Sequence, residues 1–346
     1  MCVCFAMNHM DTQEGSVRKL QYTGKSSYSV NLPKSWVEAA GLHPQDSLVV
    51  QEDGEALRIM PLKAGTPPGH QMDLIESGEP VETVARRVVS AYLAGCEVIR
   101  VLPKGGRLGV PFKEDLRQKI ARRTIGLEVI EDSLKELTFQ ALVARPRTDI
   151  MTLVRRMYFI SSNMLQEAVS SLLSGDREEA VSVTGTDDDV DRFHFYSVRI
   201  LNQAADSASM LKDTGLLYRS EAMMAKTIVK SVERIADHAV SIAEMALAGA
   251  ALTPEESGLV RDEAGQVSAE YENAISSFFR FDGRRAEEAL MEHEGVKAGR
   301  ERKGPATGLV MEHIWRVSDY AADICEAVVD MTIARSMRRE AARQPM

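Results

Sequence analysis

The chain has 346 residues, 44% hydrophobic and 27% charged, with a formal net charge of −9. That length exceeds what one core usually organises, so two or three domains are expected. The acidic balance argues against a generic nucleic-acid coat but leaves room for a local basic patch, and no apolar run approaches the roughly 20 residues that span a bilayer.

The stretch Met1–Met10 is apolar but lacks the positive segment and small-residue cleavage site of a signal peptide. Cys2 and Cys4 form a C-x-C without a second pair, and Cys96 and Cys325 sit in apolar contexts as small hydrophobes. With no disulfide framework visible, a reducing cytoplasm is the expected compartment.

Residues 16–62 read as a small β-rich unit. Val17–Tyr22 and Ser27–Leu32 are strand-like runs around Thr23-Gly24-Lys25; Pro33 opens a short helix, Lys34–Ala40, which Gly41 closes. Ser47–Gln51 and Ala56–Met60 follow as strands joined through Glu52-Asp53-Gly54. So small a unit buries too little alone and is expected to share its core with a second copy. Its bases, Arg18, Lys19, Lys25 and Lys34, all precede its first acid, Glu38. A symmetric dimer would present two such patches to duplex phosphates.

Gly24-Lys25-Ser26-Ser27-Tyr28-Ser29-Val30-Asn31-Leu32-Pro33-Lys34-Ser35-Trp36, Gly41-Leu42 and Asp46-Ser47-Leu48-Val49-Val50 together resemble the SpoVT/AbrB family of swapped-hairpin DNA-binding domains. The resemblance implies a β-barrel interleaved from two chains. It also makes Arg18, Lys19, Lys25 and Lys34 the DNA-contact candidates. Some relatives of that domain serve as dimerisers or toxin-binding modules instead.

Leu62–Met72, with Gly65-Thr66-Pro67-Pro68-Gly69, reads as a proline-stiffened linker. Residues 73–144 then form a small α+β domain. It has helices at Val81–Ala94 and Phe112–Arg123 and strands at Glu97–Leu102, Leu127–Asp132 and Leu137–Val143. Its Lys104-Gly105-Gly106-Arg107 loop does not fit a phosphate-binding loop and reads as a surface turn. Arg145-Pro146-Arg147 marks the next boundary.

Residues 149–337 read as wholly helical, with helices at Ile150–Leu173, Asp187–Ser209, Ser220–Ala248, Glu255–Phe279, Arg284–Arg300 and Thr307–Met337. The third and sixth align: Val232-Glu233-Arg234-Ile235-Ala236-Asp237-His238-Ala239 lies beside Ile314-Trp315-Arg316-Val317-Ser318-Asp319-Tyr320-Ala321. This predicts tandem three-helix bundles, 149–250 and 255–337. On the third helix, Ala225, Ile228, Val232, Ile235, Ala239, Ile242 and Ala246 form an apolar stripe, with Glu233, Asp237 and Glu244 opposite. Thr186 is expected to cap the second helix, with Asp187–Asp189 in its first turn.

Glu233-Arg234-Ile235-Ala236-Asp237-His238-Ala239-Val240-Ser241-Ile242-Ala243-Glu244 resembles the third-helix motif of the PhoU family, and Asp187–Tyr196 the start of its second helix. The resemblance implies a two-bundle regulator of phosphate transport whose E/D-x-x-x-D motifs hold multinuclear metal clusters. Acids four apart place their oxygens about one helical turn apart on one side, within reach of a shared cation if a second helix faces them. Asp187, Asp191 and His194 share such a face. Mostly carboxylate donors suit manganese, magnesium or iron better than a closed zinc site. In the second repeat Trp315 replaces the first acid, leaving Asp319 and Asp323.

The expected molecule is multidomain: a swapped-hairpin β-barrel, a small α+β middle domain and all-α tandem three-helix bundles. The metal candidates are Asp187, Asp191, Glu233, Asp237, Asp319 and Asp323, for divalent or trivalent ions of iron, manganese, magnesium or zinc. The expected function is a cytoplasmic, homodimeric, phosphate-responsive repressor of phosphate uptake that binds DNA. The alternative is an adaptor that dimerises through the head and restrains the ATPase subunit of a phosphate ABC transporter. A metal-dependent hydrolase ranks last, since no base and nucleophile assemble in the sequence, and no enzyme activity is expected.

Overall fold

The computed structural model describes residues 17–23, 27–53, 56–62, 70–142, 148–297 and 305–341. The chain divides into two units between Thr66 and Pro67.

In the first unit β1 (Gln21–Thr23) pairs antiparallel with β2 (Ser27–Ser29), with the Tyr22 and Tyr28 rings edge-on at 5.2 Å. Pro33 takes the cap position of α1 (Lys34–Ala39) rather than its first helical residue. Gly41, at φ +64°, supplies the left-handed exit that only glycine adopts freely. β3 (Leu48–Asp53) and β4 (Ala56–Pro61) pair antiparallel along their whole length. The two hairpins are separate two-stranded sheets, so the described residues of a single chain close no barrel. None of the unit's described side chains is buried, and Val17, Leu20, Tyr22, Tyr28, Val50 and Leu57 are more than half exposed. Among its described residues the unit has no core.

The second unit opens with a four-stranded sheet, ordered β5 (Gln71–Glu76), β6 (Val98–Pro103), β8 (Leu137–Ala141), β7 (Leu127–Asp132). β5 and β6 are parallel, joined across α2 (Val81–Leu93), while β8 runs antiparallel to both of its neighbours. Strand β5 enters the stretch read as linker. The core joins Val84, Val88 and Tyr92 of α2 and Leu116 and Ile120 of α3 (Val110–Arg123) to Ile99, Val101 and Phe139.

The helical body comprises α4 (Ile150–Ser174), α5 (Arg177–Asp206), a short α6 (Ala208–Asp213), α7 (Arg219–Leu247), α8 (Pro254–Arg280), α9 (Gly283–Lys297) and α10 (Pro305–Ala341). Asp149 and Asp176 cap α4 and α5 through their side chains, and Thr253 with Glu256 forms a reciprocal capping box on α8. Helix α5 therefore starts ten residues before the expected Asp187. Thr186 caps nothing; its hydroxyl donates to the Ser182 carbonyl one turn back.

Helix α7 packs on α4, α5 and α10, and α10 packs on α8, α9 and α7. Two three-helix bundles thus join through their third helices around one continuous apolar core. The whole predicted stripe of α7 is buried, but so are Val229, Ala236 and Ala243, as a helix enclosed on several sides requires. At the α8–α9 turn, Gly283 sits so close to Thr332 of α10 that a Cβ there would collide with its hydroxyl.

Arg199 of α5 fastens the sheet to the helical body. It is 1% exposed, donates to the Tyr92, Gly95 and Cys96 carbonyls in the last turn of α2 and just past it, and lies over the Tyr92 ring at 4.6 Å. Asn202 donates to the Leu93 carbonyl at 2.9 Å. Together they satisfy carbonyls that a helix end leaves unpaired.

Candidate functional site

Of the third-helix acids, Asp237 and Glu244 are exposed as the stripe predicts, but Glu233 is not. Glu233 is buried, Asp187 and Asp191 are half-buried on the facing helix α5, and Asp237 lies at the solvent edge. Because α5 is continuous from Arg177, Asp187 and Asp191 stand in its middle, one turn apart on the side toward α7. Lost hydration pushes the Asp191 carboxyl up to about 7, reinforced by repulsion from Asp187, Glu233 and Asp237. Asp187 and Asp237 are each pushed up to about 6, first by burial and then by neighbouring acids. These four carboxylates form one electrostatically coupled group.

Few cations relieve it. Lys230 donates to Glu233 at 2.6 Å, from one turn earlier on α7. The middle domain contributes the end of α3: Arg122 lies 3.8 Å from Asp188, and the charge of Arg123 acts on Asp191 while its guanidinium donates to Glu82 at 2.8 Å. His194 is 6% exposed, and its Nδ1 has no hydrogen-bond partner. Burial pushes it down to about 4, against a hydrogen bond to the Val229 backbone that favours its charged form. As the side chains stand, no three His, Cys, Asp or Glu residues among those described converge closely enough to hold a metal ion.

The second bundle treats the corresponding position differently. Trp315, where the first bundle has Glu233, donates its indole N–H to Glu263 at 2.7 Å. Asp319 accepts from Lys297 of α9 at 2.9 Å, with His293 Nε2 at 3.5 Å and Arg316 at 3.8 Å. Behind it, His293 Nδ1 meets the Ser318 hydroxyl at 2.9 Å, and that hydroxyl donates to Glu270 of α8. Asp323, one turn further along α10, lines a groove beside Tyr320 and Arg234, and burial together with the charges of Glu326 and Asp319 pushes its carboxyl up.

His238 of α7 meets His313 of α10 with Nδ1 atoms 2.9 Å apart and stacks on Tyr320. Nothing in the local sequence pattern pairs it with His313, because that contact crosses from one bundle to the other.

Of the DNA-contact candidates, Arg18, Lys19 and Lys34 are exposed, and Lys34 lies 3.6 Å from Glu38. Lys25 lies outside the described residues, as do Cys2 and Cys4. Among the described residues no helix is long and apolar enough to cross a membrane.

Residues 154–246, in the first bundle, match the family model of the PhoU domain, and residues 21–67 match that of the antidote-toxin recognition protein MazE, a bacterial antitoxin. No curated protein matches the chain. Among solved structures, the phosphate transport system regulatory protein PhoU from Streptococcus pneumoniae is similar at 17% identity and a TM-score of 0.42, over 53% of this chain and 92% of that one. PhoU from Pseudomonas aeruginosa is similar at 19% identity and a TM-score of 0.35, over 54% and 96%. The chain carries a PhoU domain in its helical body and a MazE-type, AbrB-like domain at its N-terminal end.

Proposed function

We propose that this protein is a cytoplasmic, non-catalytic regulator of phosphate uptake that binds DNA through paired N-terminal units and senses its state through cations held by its first helical bundle. The observation that carries the DNA-binding part is a unit of two hairpins with no buried side chain among those described, exposing Leu20, Tyr22, Tyr28 and Leu57 beside Arg18, Lys19 and Lys34. Burying those apolar side chains needs a second copy, and pairing doubles the basic patch. Asp187, Asp191, Glu233 and Asp237 would hold the cations, with side-chain rotation and release of Lys230 drawing their oxygens together. Four oxygen donors suit manganese, magnesium or iron, and a bound cation supplies the positive charge that the group lacks. Repression of uptake then requires the body to bias the two heads between competent and incompetent pairings.

Gel-shift titration of the full chain on the promoter region of a phosphate-transport operon at low ionic strength tests the DNA part. Retardation lost in an Arg18→Glu/Lys19→Glu/Lys34→Glu variant is expected; no retardation of the parent chain removes the reading. The close approach of Lys34 to Glu38 favours a second reading, in which the head only dimerises and the body docks on a transporter ATPase. That reading stands if the triple variant leaves phosphate control of transport unaltered.

A further inference from the structure

A groove of about 610 Å³ opens where α5, α7 and α10 meet, and it shares Lys230 with the carboxylate group. One wall is a row of cations on α7, Lys226, Lys230 and Arg234, spaced four residues apart, so that the row runs about 12 Å along the helix. The floor is apolar: Leu201 and Ala205 of α5 with Ala222 and Met223 of α7, Met223 being 71% exposed. At the far end stand the Tyr320 phenol and the Asp323 carboxylate of α10.

Neutral groups hold two of the three cations. Lys226 donates to the Asn202 amide oxygen at 3.2 Å, and Arg234 donates to the Tyr320 hydroxyl at 3.1 Å while lying 5.5 Å from its ring. Lys230 is shared with Glu233. An entering anion would thus exchange neutral acceptors for a charged one at Lys226 and Arg234, and charge-assisted hydrogen bonds are roughly twice as strong as neutral ones. Asp323 opposes a ligand that is anionic throughout. It suits instead one whose other end offers hydroxyl or amino donors. The volume lies within the usual range of small-molecule pockets.

We propose that this groove binds a nucleoside phosphate. Its phosphates lie along Lys226 and Lys230, its flat base covers Met223 and the apolar floor, and its sugar or base donors reach Asp323 and Tyr320. A uniformly acidic partner helix fits less well, because it would meet Asp323 and Glu233. The site needs neither DNA binding nor a metal, so its fate is separable from that of the function proposed above.

The test is a fluorescence titration of the full chain with an N-methylanthraniloyl derivative of ADP, in the presence of a chelator, with ADP, inorganic pyrophosphate and adenosine as competitors. Saturable binding is expected. Lys226→Glu and, separately, Met223→Asp should weaken it roughly tenfold or more, as loss of one charge-assisted contact or of the floor requires. Both residues are exposed, so unchanged circular dichroism and melting temperature will confirm folding. ADP should compete better than pyrophosphate or adenosine. Absent binding, binding undiminished in both groove variants, or pyrophosphate competing as well as ADP would each overturn the proposal. So would displacement of the probe by a polyglutamate peptide at ADP-like concentrations, which would mark a docking surface for acidic chains.

Discussion

The two helical bundles solve one electrostatic problem in opposite ways. In the first, Asp187, Asp191, Glu233 and Asp237 face one another across α5 and α7, and Lys230 is the one cation within hydrogen-bond reach among the described contacts. In the second, the corresponding seam is compensated: Lys297 and Arg316 flank Asp319, and His293 and Ser318 carry the network to Glu270. A compensated cluster contributes to the fold by itself, whereas four coupled carboxylates weaken it until something positive arrives. Substitutions at matched positions should therefore differ in sign.

The largest effect is expected on the compensated side. His293→Ala empties a buried position and breaks the chain of bonds between Asp319 and Glu270, so thermal or urea unfolding should report a loss of about 2–4 kcal/mol. Next comes Trp315→Glu, which restores the missing acid of the motif. It removes the indole bond to Glu263 and sets two acids together, at a cost of about 1–3 kcal/mol. Manganese should stabilise this variant no more than it stabilises the parent chain, because Lys297 still holds Asp319.

Asp191→Asn should move stability the other way. The folded-state carboxyl titrates near 7, above its ordinary value of 3.8, so the folded protein holds that proton more tightly than the unfolded chain does. The stability this contributes is fully present below the unfolded value and is lost as pH rises through about 7. Without metal, the asparagine variant should thus melt a few degrees higher than the parent at pH 8, about 1 kcal/mol after allowance for solvent screening, and level with it near pH 4. The smallest change is Asp319→Asn, a loss of under about 1 kcal/mol because Lys297 and Arg316 are largely exposed. Equal signs at Asp191 and Asp319 would erase the contrast between the bundles.

Much of this was legible along the chain. Apolar periodicity places α4, α7 and α8 to within a residue or two, because each buries a stripe and ends at a recognisable turn. Helix α5 misled at its start: Thr184-Gly185-Thr186 before three aspartates looks like a cap, yet Gly185 sits inside the helix with open space around it, and Asp176 is the true cap. Strand β5 was hidden beside the proline-rich stretch because no separate turn marks its start. Acids on α5 and α7 could be paired in advance, since spacing fixes their faces. Their burial could not, because it depends on how closely α5 lies against α7. The contacts of Lys297 with Asp319, His238 with His313, and Arg199 with α2 join distant elements and leave no local signature.

The proposed function makes the first bundle, and not the second, the cation site. The most direct measurement is the metal content of the full chain purified without chelator, beside an Asp191→Ala/Asp237→Ala variant and an Asp319→Ala/Asp323→Ala variant. Bound metal is expected in the parent and in the Asp319→Ala/Asp323→Ala chain, and its loss from the Asp191→Ala/Asp237→Ala chain. Equal metal content in all three would contradict it.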